Sequence, residues 1–228
     1  METTEDTAPH YLGHRQRLRE RFVANPKGLQ DYELLEVVLG LAIPRRDVKA
    51  LAKELLAEYG DLWSLVRAPA DRLEQSGLSE NTGVALRAIG ELAERGLRAQ
   101  IKERPVISSW EQLLAYCQAA MGCEREEQFR LLFLDNKNRL MADEVQHKGT
   151  VNHTQAYPRE IVKRALDLGA SALILVHNHP SGDPTPSQAD IKLTKDIVTA
   201  ATALGLRIHD HLIIGRGQHS SMKALGLI

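Results

Sequence analysis

His177-Asn178-His179-Pro180-Ser181-Gly182-Asp183-Pro184-Thr185-Pro186-Ser187-Gln188-Ala189-Asp190 gathers two histidines, a serine and a carboxylate around one turn of the chain. The residues just before it, 171–176 (SALILV), are almost wholly apolar, as a buried strand requires. The predicted strand ends at His177. Side chains two residues apart in an extended chain share a side, so His177 and His179 can present two imidazoles to one ion while Asn178 points away. Pro180, Gly182, Pro184 and Pro186 exclude both helix and central strand, and the chain must turn through a stiff loop.

Beyond the loop, residues 188–204 carry Ile191, Ile197, Val198, Ala201 and Leu204 near helical spacing, and Gly205 supplies the stop. Ser187 is the expected N-cap. Asp190 in the first turn has two readings. It completes a His-His-Asp metal set that leaves one tetrahedral position for water, as catalytic zinc requires. Equally, Ser-x-x-Asp at a helix start is close to a capping box, and an acid there suits the helix dipole with no metal.

The string H-x-H-P, six residues, then S-x-x-D resembles the signature of the JAMM (MPN-plus) metalloproteases, with every defining position occupied. Residues 177–182, Pro186-Ser187 and the later Asp210-His211-Leu212-Ile213-Ile214-Gly215 resemble the bacterial RadC-like branch in particular. The resemblance implies an α/β protein: an N-terminal all-helical, helix-hairpin-helix-like domain, then a mixed α/β JAB/MPN domain of cytidine-deaminase-like, three-layer build. It implies zinc held by His177, His179 and Asp190, and hydrolysis of a peptide or isopeptide bond in a protein substrate. Zinc would lower the pKa of bound water and polarise the carbonyl. Ser187 would donate to the developing oxyanion, a duty that competes with capping. A glutamate ahead of an aromatic and a run ending in Leu-Asp would act on the water, and Glu127 to Asp135 (EQFRLLFLD) fits that pattern. The residues alone leave Glu124, Glu126 and Glu144 as further candidates for the base. Glu127 is preferred and Glu144 comes second.

His209-Asp210-His211 is a second H-x-H, but no proline loop and cap-positioned acid follow it. A structural or supporting role is expected there, with Asp210 one candidate partner for the free nitrogen of a ligating imidazole. His147 and His153 flank Gly149-Thr150 as candidate groove residues, whereas His10, His14 and His219 read as surface residues. Cys117 and Cys123 match neither a disulfide framework nor a close zinc pair, and reduced structural thiols are expected.

The chain has 228 residues, 43% hydrophobic and 26% charged, with a net charge of −1. That suits a globular protein of one large or two small domains. There is no apolar run long enough for a bilayer, and residues 1–10 are polar and acidic, so the cytoplasm is the expected location. A boundary is expected where Lys102-Glu103-Arg104 meets Pro105, giving domains 1–104 and 105–228. Before it, residues 31–41, 47–59 and 83–99 read as helices. After it, 109–121 and 158–168 read as helices and 129–135 with 139–147 as a hairpin turning at Asn136-Lys137-Asn138.

The helical region resembles the RadC-like N-terminal domain through Leu34-Leu35 and Leu51-Ala52-Lys53-Glu54-Leu55-Leu56. Its hairpin departs from the pattern. Where the family has Gly-hydrophobic-Gly and a following lysine, Gly77-Leu78-Ser79-Glu80-Asn81-Thr82 has Ser79, Glu80 and Thr82. Near-neutral charge also contrasts with the basic balance of nonspecific nucleic-acid binders, and four arginines in 14–21 (HRQRLRER) are interrupted by Glu20. Two classes stay open: a zinc hydrolase, or a DNA-associated repair or replication protein whose metal is structural or acts on another bond.

Overall fold

A strand buried on both faces reads as a continuous apolar run, and β3, Ala172–Asn178, is buried throughout and apolar until its last two residues, His177 and Asn178. The computed structural model describes residues 10–103, 105–149 and 157–228. Among these, β3 is the central strand of a five-stranded sheet ordered β2-β1-β3-β4-β5. The others are β1 (Glu127–Leu134), β2 (Leu140–Gly149), β4 (Arg207–Gly215) and β5 (Gln218–Ser221). Only β3 and β4 run parallel. A parallel pair needs a crossover, which the helix α9 defined below supplies.

The chain begins with α1 (His10–Ala24), α2 (Asp31–Ala42), α3 (Lys49–Tyr59), α4 (Leu62–Val66), α5 (Ala70–Gln75) and α6 (Glu80–Glu103). Around the sheet lie α7 (Trp110–Met121), α8 (Pro158–Asp167) and α9 (Gln188–Ala203). Strand alternation sorts the apolar residues into two layers. Leu131, Phe133, Leu173 and Leu175 meet Ile161 and Ala165 of α8 and Ile197 and Ala201 of α9. On the other face Leu132, Ile174, Val176, Leu212 and Ile214 meet Leu113, Tyr116 and Cys117 of α7. This is a helix–sheet–helix, three-layer α/β arrangement following a helical region.

The β1–β2 turn comes where the asparagines predicted it. Asp135 Oδ1 accepts from the amides of Lys137 and Arg139, each at 2.8 Å, and Asn138 takes a left-handed φ of 58°. Neither Cys117 nor Cys123 is in a disulfide among the described residues, and burial pushes the Cys117 thiol up to about 12.

The chain divides into two units, Met1–Leu92 and Ala93–Ile228. The second takes in the last turns of α6 ahead of Pro105, because Ile101 is buried among Leu113 and Tyr116. The first has its own core, in which Leu35, Leu39, Leu55, Leu65, Leu73 and Leu86 are buried. Two of the N-terminal arginines are used inside this unit. Arg15 binds the carbonyls of Gly40, Ile43 and Arg46 near the end of α2, and Arg21 pairs with Glu33 at 2.7 Å. His14, read from sequence as a surface residue, binds the buried Glu36 at 2.8 Å. In the degenerate hairpin, Ser79 Oγ lies 2.9 Å from Thr82 Oγ1 and caps α6, and Thr82 is buried. Those hydroxyls face one another. No helix among the described residues is long and apolar enough to cross a membrane.

Under α7 a charged cluster is buried at the sheet. Asp143, 1% exposed, accepts two 2.9 Å bonds from Arg130 and one from Tyr116, with Arg98 at 3.7 Å. Removing one partner of such a group leaves the opposite charge buried and uncompensated. Asp143→Ala is therefore expected to destabilise the second unit by about 3–5 kcal/mol. Urea unfolding followed by Trp110 emission in a Trp63→Phe background measures this; a loss below 1 kcal/mol would contradict the expected weight of the cluster.

Candidate metal centre

At the carboxyl end of β3, His177 is 1% exposed. Its register partners are Phe129 of β1 and Ile213 of β4. The Phe129 ring stacks on His177 at 6.4 Å and meets His211 edge-on at 5.5 Å, so an apolar wall orients both imidazoles. His179 lies just past the strand, but its amide still bonds Ile214 O at 2.9 Å and holds it to β4. The loop then folds onto the end of β4. Gly182 has φ +90°, and a Cβ at Gly215 would overlap Gly182 O and crowd Pro184. Only glycine fits that approach.

Asp190 arrives from α9. Its amide donates to Ser187 Oγ at 3.1 Å, while Ser187 N and Oγ donate to Asp190 Oδ2 at 2.8 and 2.6 Å. This capping box leaves Oδ1 3.6 Å from His177 Nε2 and Oδ2 3.6 Å from His179 Nε2, and the two Nε2 atoms are 3.0 Å apart. Cap and candidate ligand are the same residue. His177, His179 and Asp190 form a group that could hold a metal ion.

The hydrogen-bond network assigns the protons. His179 Nδ1 is 2.7 Å from Asp183 O, which can only accept, so Nδ1 carries the proton. Thr194 Oγ1 donates to Asp190 O at 2.6 Å and must therefore accept from His211 Nδ1, also 2.6 Å away. Burial drives the His211 pKa well below the ordinary histidine value and keeps the ring neutral, leaving a lone pair on Nε2. His177 Nδ1 must then donate to His211 Nε2 at 2.8 Å. With each Nδ1 engaged by a fixed partner, the two Nε2 atoms are the ring nitrogens left to face the point that Asp190 faces.

Two imidazole nitrogens and a carboxylate converging on one point suit a cation between them. Two ligands about 2.0–2.1 Å from a tetrahedral ion stand about 3.3 Å apart; the two Nε2 atoms are 3.0 Å apart, and each lies 3.6 Å from one or the other Asp190 oxygen. The donor set fits a metal ion. Burial works against the Asp190 charge, yet the polar contacts of His177, His179 and Ser187 hold its carboxyl far below the carboxylate range. Contact with Asp190 raises His179, against burial.

Glu127 opens β1, on the same face as Phe129 and His177. Burial pushes its carboxyl up, the charge of Asp190 adds to this, and His177 and His179 oppose it. Glu144 is engaged elsewhere. Its oxygens bind Arg164 at 2.5 and 2.9 Å, and that contact lowers its carboxyl. Glu124 and Glu126 contribute backbone carbonyls, both bound by Asn178.

Sequence reasoning named Asp210 as a partner for a ligating imidazole, and here the structure differs. Asp210 binds its neighbouring amide, Ser221 Oγ and Lys223 N, whereas His211 meets His177. His209 lies apart, its Nε2 2.7 Å from Asn138 Oδ1. Thr194 had no sequence signal, since nothing local marks a helix threonine that faces a histidine seventeen residues on. His153 and the side chain of His147, the candidate groove residues, lie outside the described residues.

A family model described as RadC-like JAB domain matches residues 107–227, more than half of the 228-residue chain.

Partners that fix a ligand's tautomer typically account for 10–100-fold in metal affinity, and Thr194→Val is expected to weaken binding by roughly that factor with all three ligands intact. Competition with a chromophoric chelator reads this directly. Unchanged affinity would remove Thr194 and His211 from the support of the centre.

Proposed function

The chain belongs to the RadC-like JAB domain family, and from that premise we propose that it is a zinc-dependent hydrolase of peptide or isopeptide bonds. The observation that supports this reading is the convergence of the two Nε2 atoms and the Asp190 carboxylate, with the half-buried Glu127 in their field. His177, His179 and Asp190 would hold the ion, and two imidazoles with one carboxylate suit zinc. Bound zinc would supply Lewis acidity and an acidified water at a site with three protein ligands.

The remaining chemistry belongs to the chain. Glu127 would take and return the proton, and a carboxylate whose pKa is raised by burial is the better base for it. The wall of Phe129 keeps the rings of His177 and His211 oriented. Ser187 would donate to the developing oxyanion by turning its hydroxyl away from Asp190 Oδ2, which it reaches at 2.6 Å. Its backbone amide keeps Asp190 in place meanwhile, at 2.8 Å. Capping and catalysis would thereby share one residue.

Metal analysis of the purified full-length chain, with a library of peptide and isopeptide substrates, tests the proposal. His177→Ala and Asp190→Ala are expected to lose zinc, and zinc kept in both would overturn the ligand assignment. Glu127→Ala is expected to keep zinc and lose on the order of a hundredfold or more in turnover. Cleavage unaffected by that change removes Glu127 as the base, and a zinc-loaded wild type that cleaves nothing removes the hydrolase reading.

Ser187→Ala separates the two duties of the serine. Turnover should fall on the order of a hundredfold with metal content intact. Loss of zinc in that variant would show that the hydroxyl serves Asp190 alone.

A further inference from the structure

Asn178 stands between the two histidines, and strand alternation turns its side chain to the face opposite the imidazoles. There its carboxamide is buried, 1% exposed, and every polar atom of it is used. Oδ1 accepts from Gln128 N at 2.8 Å. Nδ2 donates to Glu126 O at 3.1 Å and Glu124 O at 3.4 Å.

Two of these backbone groups flank Glu127. The Glu126 carbonyl lies in the peptide plane before the Glu127 Cα, and the Gln128 amide lies in the plane after it. Fixing both planes fixes φ and ψ of Glu127, and with them the direction of its Cβ. The β1–β3 register ends at the pair Phe129↔His177, so a side chain takes over where the pairing stops. We propose that Asn178 is the positioning residue for Glu127, clamping the backbone on either side of that glutamate so that its carboxyl faces the metal ligands. The inference rests on the hydrolase reading above.

The residue type follows from the groups to be bound. They are one donor and two acceptors, and asparagine offers an acceptor and two donors at this reach. Aspartate would set a carboxylate against two carbonyls, and alanine would take a partner from the buried Gln128 amide and from the part-buried carbonyls of Glu124 and Glu126. Because Asn178 is covalently joined to both histidine ligands, the end of β3 carries those two ligands on one side and the grip on the base on the other. Ligands and base are thereby held in one frame.

The test compares Asn178→Ala, and the milder Asn178→Ser should alanine unfold the chain, with Glu127→Gln in full-length protein loaded with cobalt(II). Metal content is expected to stay complete. The visible spectrum of the bound cobalt should shift as it does in Glu127→Gln, with no further shift when the two changes are combined. Turnover of a peptide cut by the wild type should fall on the order of tenfold or more, with KM within about twofold. A wild-type spectrum in the Asn178 variants overturns the proposal, and so does loss of metal, which would tie Asn178 to the ligands instead. If the wild type binds cobalt and cleaves nothing, the hydrolase reading alone falls and the spectra still decide on Asn178.

Discussion

Residue 209 is one more than the parallel pairing of β3 and β4 has room for. Leu173 pairs with Ile208 and Ile174 pairs with Asp210, so His209 bulges out between them. Because side chains alternate with period two, that single insertion exchanges the two faces of everything downstream. Without it Asp210 would oppose Leu175 and lie on the face of His177. With it His211 takes that place, Asp210 turns to the opposite face, and the ring of His209 reaches Asn138. The bulge thus selects a neutral imidazole rather than a carboxylate to receive the His177 proton.

That choice carries through the centre. A carboxylate beside His177 would add negative charge under the ligand set, whereas His211 is neutral and passes its own proton to Thr194. Thr194 closes the chain on the carbonyl of Asp190, the third member of the set. The same aspartate is bound by the amide and hydroxyl of Ser187. Two interactions common at helix ends, a capping box and a threonine bonded back to the preceding turn, become the means of placing a ligand. The proline-rich loop and the close approach of Gly215 to Gly182 fix where that helix begins.

Much of this was legible in order along the chain. An apolar run of six residues marked the central strand, alternation put His177 and His179 together, and Ser187 with Asp190 marked a helix start. Each of these depends on residues within a few positions of one another. Asp190 looked like a choice between cap and ligand because sequence spacing shows one neighbour at a time; in three dimensions the carboxylate has two oxygens and serves both. The acids around β1 were alike in sequence. They differ in the structure because Glu144 meets Arg164, twenty residues away, while Glu127 sits in the field of His177, His179 and Asp190.

The sequence by itself determined the mixed α/β character of the second half, the order of its elements and the candidate His-His-Asp grouping of residues 177–190, since periodicity, turn residues and local spacing act over short separations. Tertiary structure alone decided which group receives the proton of His177, which glutamate approaches the histidines, and that Asn178 holds the backbone around Glu127. Those outcomes depend on register between strands thirty to fifty residues apart, and one bulged residue reverses it without leaving a mark in the local pattern.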